Sequence, residues 1–182
     1  MKKILLFLMV FASLQLIGQS KDSLSFYLSK SNENIMKGLY DRALITCNHA
    51  LRLDSNNCKA LKMKGLALSS LGKTDEAKKH YQLSIKKNCN VINNLLTLKS
   101  IYFDEGNNTE ALNYLNKVIT LSPDSGELYY ERWSIKTIMN DKTGASADLE
   151  KAKNLGCQSA IKMDKQLKQK EEKDPADKEE KE

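Results

Sequence analysis

Gly38-Leu39-Tyr40-Asp41-Arg42-Ala43 returns as Gly72-Lys73-Thr74-Asp75-Glu76-Ala77, as Gly106-Asn107-Asn108-Thr109-Glu110-Ala111, and as Asn140-Asp141-Lys142-Thr143-Gly144-Ala145. The four alanines stand 34 residues apart each time. A fixed period of this size marks an array of helical repeats. Each phrase reads as a stop and a restart. Glycine ends a helix because it accepts positive φ without a Cβ clash, and asparagine is the next choice. A capping residue and acidic residues then suit the start of the following helix: Asp41, Asp75 with Glu76, and Thr109 with Glu110 at the third start. The alanine falls where two antiparallel helices come close, so a larger side chain would force them apart.

Apolar spacing between the stops is helical. Leu24, Tyr27, Leu28, Ile35 and Leu39 lead to the first stop; Ala43, Leu44, Cys47, Ala50 and Leu51 follow at i, i+3, i+4, i+7. The rhythm recurs through Leu61, Leu68 and Leu71, through Leu95, Leu98 and Tyr102, and through Tyr129, Trp133 and Met139. Of only two prolines, Pro123 sits where a second helix should already have ended. No stretch alternates as a strand does.

These residues resemble the tetratricopeptide repeat: the 34-residue period, paired helices, the Gly-to-Ala phrase and a proline after a second helix. The resemblance spans residues 24–157, as repeats 24–57, 58–91, 92–125 and 126–157. It implies an all-α fold, a right-handed α-solenoid of about four helix hairpins plus a C-terminal capping helix. Lys30, Ser31 and Asn34 stand where the family usually has apolar or small residues; Trp133 stands where it has a small one. A hairpin of this kind cannot bury its apolar face alone, so residues 23–157 are expected to form one continuous domain.

The two ends read differently. Met1-Lys2-Lys3 is a basic start, residues 4–17 are apolar apart from Ser13 and Gln15, and Gly18, Gln19 and Ser20 follow. Those are the parts of a secretory signal peptide over residues 1–20. The run is shorter than the roughly 20 residues of a membrane span, so no stable span is expected once it is removed; the other reading is an uncleaved anchor. At the C-terminus, Ala160, Met163 and Leu167 give residues 158–170 one apolar stripe, as a capping helix requires. Residues 171–182, with seven acids and three lysines, cannot bury enough surface to order and read as a disordered charged tail.

The net charge of +6 is therefore spread unevenly, with lysines such as Lys78, Lys79, Lys86 and Lys87 on second helices. A solvated helix face explains them, and no nucleic-acid motif or stacking set accompanies them. His49 and His80 lack neighbours at metal-site spacing; no phosphate loop, Cys-x-x-Cys or Ser/His/Asp arrangement is present. The sequence thus points away from an enzyme, with no catalytic residue, metal or cofactor expected. Among four cysteines, Cys58 opens the first helix of the second repeat and Cys89 closes the second. An antiparallel hairpin brings those ends to one side, where a disulfide could persist after export; four unpaired thiols are the alternative.

In the family, first helices line the concave side and partners lie along it. Carried over, this places Leu28, Ile35, Met63, Leu66, Leu96, Phe103, Tyr130 and Ile138 on the partner side, with Asn32, Lys59, Lys62, Asn93, Ser100 and Glu127 as polar contacts. The family's carboxylate-clamping set is not reproduced, because Lys59 and Lys62 have no counterpart in the next repeat. The expected function is an exported scaffold, periplasmic or secreted, that binds a protein or peptide with apolar anchors. The alternative is a structural spacer or an accessory subunit of an envelope assembly, touching membrane surfaces through lysines. Export predicts a mature chain beginning at Gln19 or Lys21; N-terminal sequencing checks this, and a chain still starting at Met1 would return the protein to the cytoplasm.

Overall fold

The structure, a computed structural model, describes residues 23–173, and every regular element among them is a helix. The first, α1, covers residues 23–36. It is followed by α2 (Tyr40–Leu53), α3 (Cys58–Ser70), α4 (Thr74–Lys86), α5 (Val91–Asp104), α6 (Asn108–Leu121), α7 (Gly126–Ile138), α8 (Lys142–Asn154) and α9 (Gln158–Lys173). The proposed signal peptide, residues 1–20, lies outside the described residues. So does most of the charged tail, but α9 runs on through 171–173, beyond the expected end at 170. Glu and Lys are good helix formers, and no breaker appears before Pro175. Contacts divide the described residues into two compact units that meet between Asn94 and Leu95, inside α5. Repeats contact mainly their neighbours, which makes such a division possible.

The recurring phrase forms the same turn four times. Gly38, Gly72, Gly106 and Asn140 all adopt positive φ, between 59° and 74°. At the first stop Gly38 N–H donates to Ile35 O and Leu39 N–H to Asn34 O; the same pair of bonds closes the helices before Gly72, Gly106 and Asn140. This double bond pattern satisfies carbonyls that a helix end leaves open. The restart is capped by side chains at two of the four places: Asn107 accepts from Glu110 N–H and Asp141 from Gly144 N–H. Leu39 and Lys73 provide no such cap. The alanines Ala43, Ala77 and Ala111 are fully buried, and Ala145 nearly so.

In the first unit, α3 buries Ala60, Leu61, Met63, Ala67 and Leu68. Gly65 lets the Tyr81 ring of α4 cross that helix: a Cβ there would lie 2.6 Å from Tyr81 Cε1. The Tyr81 hydroxyl meets Ser69 Oγ at 3.1 Å. The polar residues of the first repeat are accommodated by bonding. Ser31, fully buried, donates to Tyr27 O and contacts Thr46 Oγ1 at 2.8 Å. Cys58 is bonded to Cys89 across a Cα–Cα distance of 5.2 Å. Asn94 Nδ2 pins the same turn by donating to Cys89 O and Ser84 Oγ. Cys47 and Cys157 are buried free thiols, and burial pushes the Cys47 thiol up.

In the second unit the equivalents of Cys58 and Cys89 are Gly126 and Cys157. A Cβ on Gly126 would lie 3.0 Å from Cys157 Cβ, so the same junction closes here without a bond. Leu149, Ala152, Cys157 and Ala160 form a core, with Tyr129, Tyr130, Trp133 and Met163 packed against it. Between α7 and α8 lies a buried ion cluster. Asp148 accepts from Arg132 Nε at 2.8 Å and Nη2 at 2.6 Å, and pairs with Lys136 at 2.8 Å. Arg132 Nη1 also donates to Asn116 of α6. Burial alone would raise the Asp148 pKa, but the two cations outweigh it and hold the carboxyl below its usual range. Losing one partner of such a buried pair leaves a charge uncompensated.

His80 of α4 is the exception to this polar satisfaction. It is 9% exposed, and its Nε2 has no hydrogen-bond partner among the described residues. Desolvation, with Lys64 adding like-charge repulsion, lowers its pKa to about 4. The folded state therefore resists protonation that the unfolded chain accepts near pH 6.5. Stability from the neutral imidazole is present above about pH 6.5 and is lost as pH falls toward about 4, by about 3 kcal/mol. Urea unfolding at pH 7, 5 and 4 checks this: His80→Leu is expected to lose clearly less stability over that range than the parent. Parallel losses would place the acid sensitivity elsewhere.

Candidate functional site

The first helices α1, α3, α5 and α7 each bury one face and leave another open, and most of the expected partner-side residues fall on the open face. On α1, Asn32 is exposed while Leu28 and Ile35 are half-buried. On α3, Lys59, Lys62 and Leu66 are exposed, the last at 43%. Met63 is not among them. It is 6% exposed and belongs to the core of the first unit, because position 63 lies a third of a turn from Lys62 and faces inward. On α5, Asn93, Ser100 and Phe103 are exposed and Leu96 is half-buried; on α7, Glu127 and Ile138 are exposed. Tyr130 stacks on Trp133 at 5.0 Å and packs against the core of the second unit, so its ring is structural.

Within the second unit Phe103 borders a cleft between α5 and α7, with a volume of about 220 Å³. Lys99, Phe103, Glu131, Ser134 and Ile135 line it. Ile135 is buried and forms an apolar floor, while Phe103 remains 37% exposed on the wall. Lys99 Nζ and Glu131 Oε2 pair at 2.9 Å across the cleft, with Lys99 the more buried partner. Ile138, 57% exposed, stands one turn beyond Ser134 on the same helix. An apolar wall and floor beside a fixed ion pair can take an apolar side chain and orient polar groups next to it.

Of the cleft residues, only Phe103 is among the sequence-derived candidates. Lys99 was recoverable, since it precedes Phe103 by four positions and so shares its helix face. Glu131 and Ser134 required knowing how the two first helices are offset, which the period alone does not give. In the first unit, Lys59, Lys62 and Leu66 share one stripe of α3, and α3 contains no acid to neutralise them. Among the described residues no group of three or more His, Cys, Asp or Glu could hold a metal ion, and no helix is long and apolar enough to cross a membrane.

The description "Tetratricopeptide repeat" belongs to a family model that matches residues 59–86 and 100–125. No curated protein matches the sequence. Among solved structures, MamA from Desulfovibrio magneticus RS-1 superposes with a TM-score of 0.62 at 20% identity, over 74% of this chain and 76% of that one. A further MamA structure gives 0.64 at 19% identity, over 84% and 94%. A tetratricopeptide repeat protein from Parabacteroides merdae ATCC 43184 gives 0.67 at 23% identity, over 75% of this chain and 55% of that one, so this chain spans about half its length. Identities this low speak for the fold alone. The chain carries tetratricopeptide repeats and has the all-α solenoid fold of tetratricopeptide-repeat proteins.

Proposed function

We infer that this is an exported scaffold that binds a protein or peptide segment through the open faces of its first helices. A fold of this kind is an interaction scaffold; the observation that supports the finer reading is the α5–α7 cleft. Phe103 and Ile138 are large apolar side chains that keep 37% and 57% of their surface exposed, and apolar surface left open beside a pocket marks interaction sites. Exposed aromatic residues beside a pocket tend to dominate binding energy. The Lys99–Glu131 pair offers one charge of each sign, which suits a peptide backbone or a neutral polar contact better than a terminal carboxylate. The basic stripe of Lys59 and Lys62 adds an acidic preference in the first unit. Export is supported by the composition of residues 1–20 and would place these faces in the periplasm or outside the cell.

The test is Phe103→Ala with Ile138→Ala, both exposed, leaving Tyr130 in place. Circular dichroism should be unchanged, because neither side chain belongs to the core. Affinity capture from envelope extract, with quantified bound proteins, should lose at least tenfold of whatever the parent retains specifically. A folded double variant that captures every partner at parent levels would exclude this cleft as the binding surface.

A further inference from the structure

We propose that the first hairpin carries a second docking site, for an acidic polypeptide segment bearing an apolar side chain, on the side of α1 opposite the partner face described above. A cleft of about 360 Å³ opens between α1 and α2, lined by Lys30, Glu33, Asn34, Lys37, Leu39, Arg42, Ile45 and Thr46. On an ideal helix Lys30, Glu33, Asn34 and Lys37 project about half a turn away from Leu28, Asn32 and Ile35, so the two sites are separate and either reading can fail alone.

Three cations face one acid there. Lys30 and Lys37 both pair with Glu33, at 2.8 and 2.6 Å, and their hydrogen bonds lower its pKa to about 2. One carboxylate balances only one of these charges. Beside them Leu39 and Ile45 are 39% and 58% exposed.

The other three repeats show that these features are particular to this hairpin. Where the first has Leu39 and Ile45, the second has Lys73 and Lys79, the third Asn107 and Asn113, and the fourth Asp141 and Ala147. Where it has Arg42, the second and third have Glu76 and Glu110; where it has Lys37, the third has Glu105. Hairpins of this fold therefore do not need apolar or cationic residues at these places.

The fourth repeat shows what chemistry the position accepts. Arg132, Lys136 and Asp148 there correspond to Lys30, Asn34 and Thr46 here. In the fourth repeat the chain's own carboxylate sits between two cations. In the first, Thr46 brings no charge, and Glu33 is the one carboxylate that lines the cleft. An acid from the partner would meet Lys30 or Arg42, and a neighbouring apolar side chain would cover Ile45 and Leu39. Arg42 favours a carboxylate because its planar fork binds one bidentately.

The test titrates the purified protein with a fluorescent twelve-residue amphipathic peptide of glutamate and leucine, the leucines on one helical face. Lys37→Glu with Arg42→Glu installs residues that the third repeat carries at the same places, so folding should be retained and is checked by circular dichroism. A charge-matched control, Lys79→Glu with Lys86→Glu, lies outside the cleft. Ile45→Asn copies Asn113. Binding is expected to weaken at least tenfold in the first variant, severalfold in Ile45→Asn, and less than twofold in the control. Equal losses in cleft and control variants would reduce the effect to net charge and overturn the proposal. So would parent-level binding by the Lys37/Arg42 variant. Vesicles of phosphatidylcholine and phosphatidylserine form a parallel arm; cleft-dependent vesicle binding without peptide binding would assign the site to lipid and equally reject the acidic segment.

Discussion

The close approach of two helices at one small residue is the constraint on which the rest depends. Ala43, Ala77, Ala111 and Ala145 each sit in the first turn of a second helix, three of them with no solvent exposure. A β-carbon is all that fits where the hairpin narrows. The positive-φ stop five residues earlier fixes the direction from which the second helix arrives. With that geometry set, the remaining contact positions must fill whatever volume the alanine leaves.

They fill it differently in each repeat. In the second, Gly65 yields space to the Tyr81 ring. In the fourth, the large residue has moved to the first helix, where Trp133 packs near Leu149. In the first repeat the same pair is Ser31 and Cys47. One position earlier, Thr46, His80, Tyr114 and Asp148 occupy equivalent places and show four solutions: a bonded hydroxyl, an unsatisfied imidazole, a ring stacked on Tyr102 at 5.5 Å, and a carboxylate held by Arg132 and Lys136. Interiors tolerate such exchange when volume is conserved and polar groups find partners. His80 is the position where the second condition is not met, its Nε2 lacking a partner among the described residues.

The architecture was legible because it rests on residues with few substitutes. Positive φ demands glycine or asparagine, and a narrow approach demands alanine, so both recur at a fixed period. Positions that admit several chemistries were not legible in the same way. Met63 and Lys62 are adjacent in sequence, and only the helix phase relative to α4 sends one inward. Tyr130 is large and amphipathic enough to serve at a surface, yet it stacks on Trp133 and packs, half-buried, against the core of the second unit. The ion pair that shapes the α5–α7 cleft joins residues whose relation depends on how two first helices slide past each other. The apolar residues of the first hairpin, Leu39 and Ile45, were visible as hydrophobic letters, but their exposure follows from the cleft around them.

The most direct measurement of this account is urea unfolding of Ala111→Leu beside Asn113→Leu. Both add a leucine to the same turn of α6, the first at a fully buried position and the second at an exposed one. If the alanine sets the approach of the helices, Ala111→Leu should lose about 1–3 kcal/mol or more through overpacking, while Asn113→Leu should stay within about 0.5 kcal/mol of the parent. Equal stability for the two variants would contradict the account.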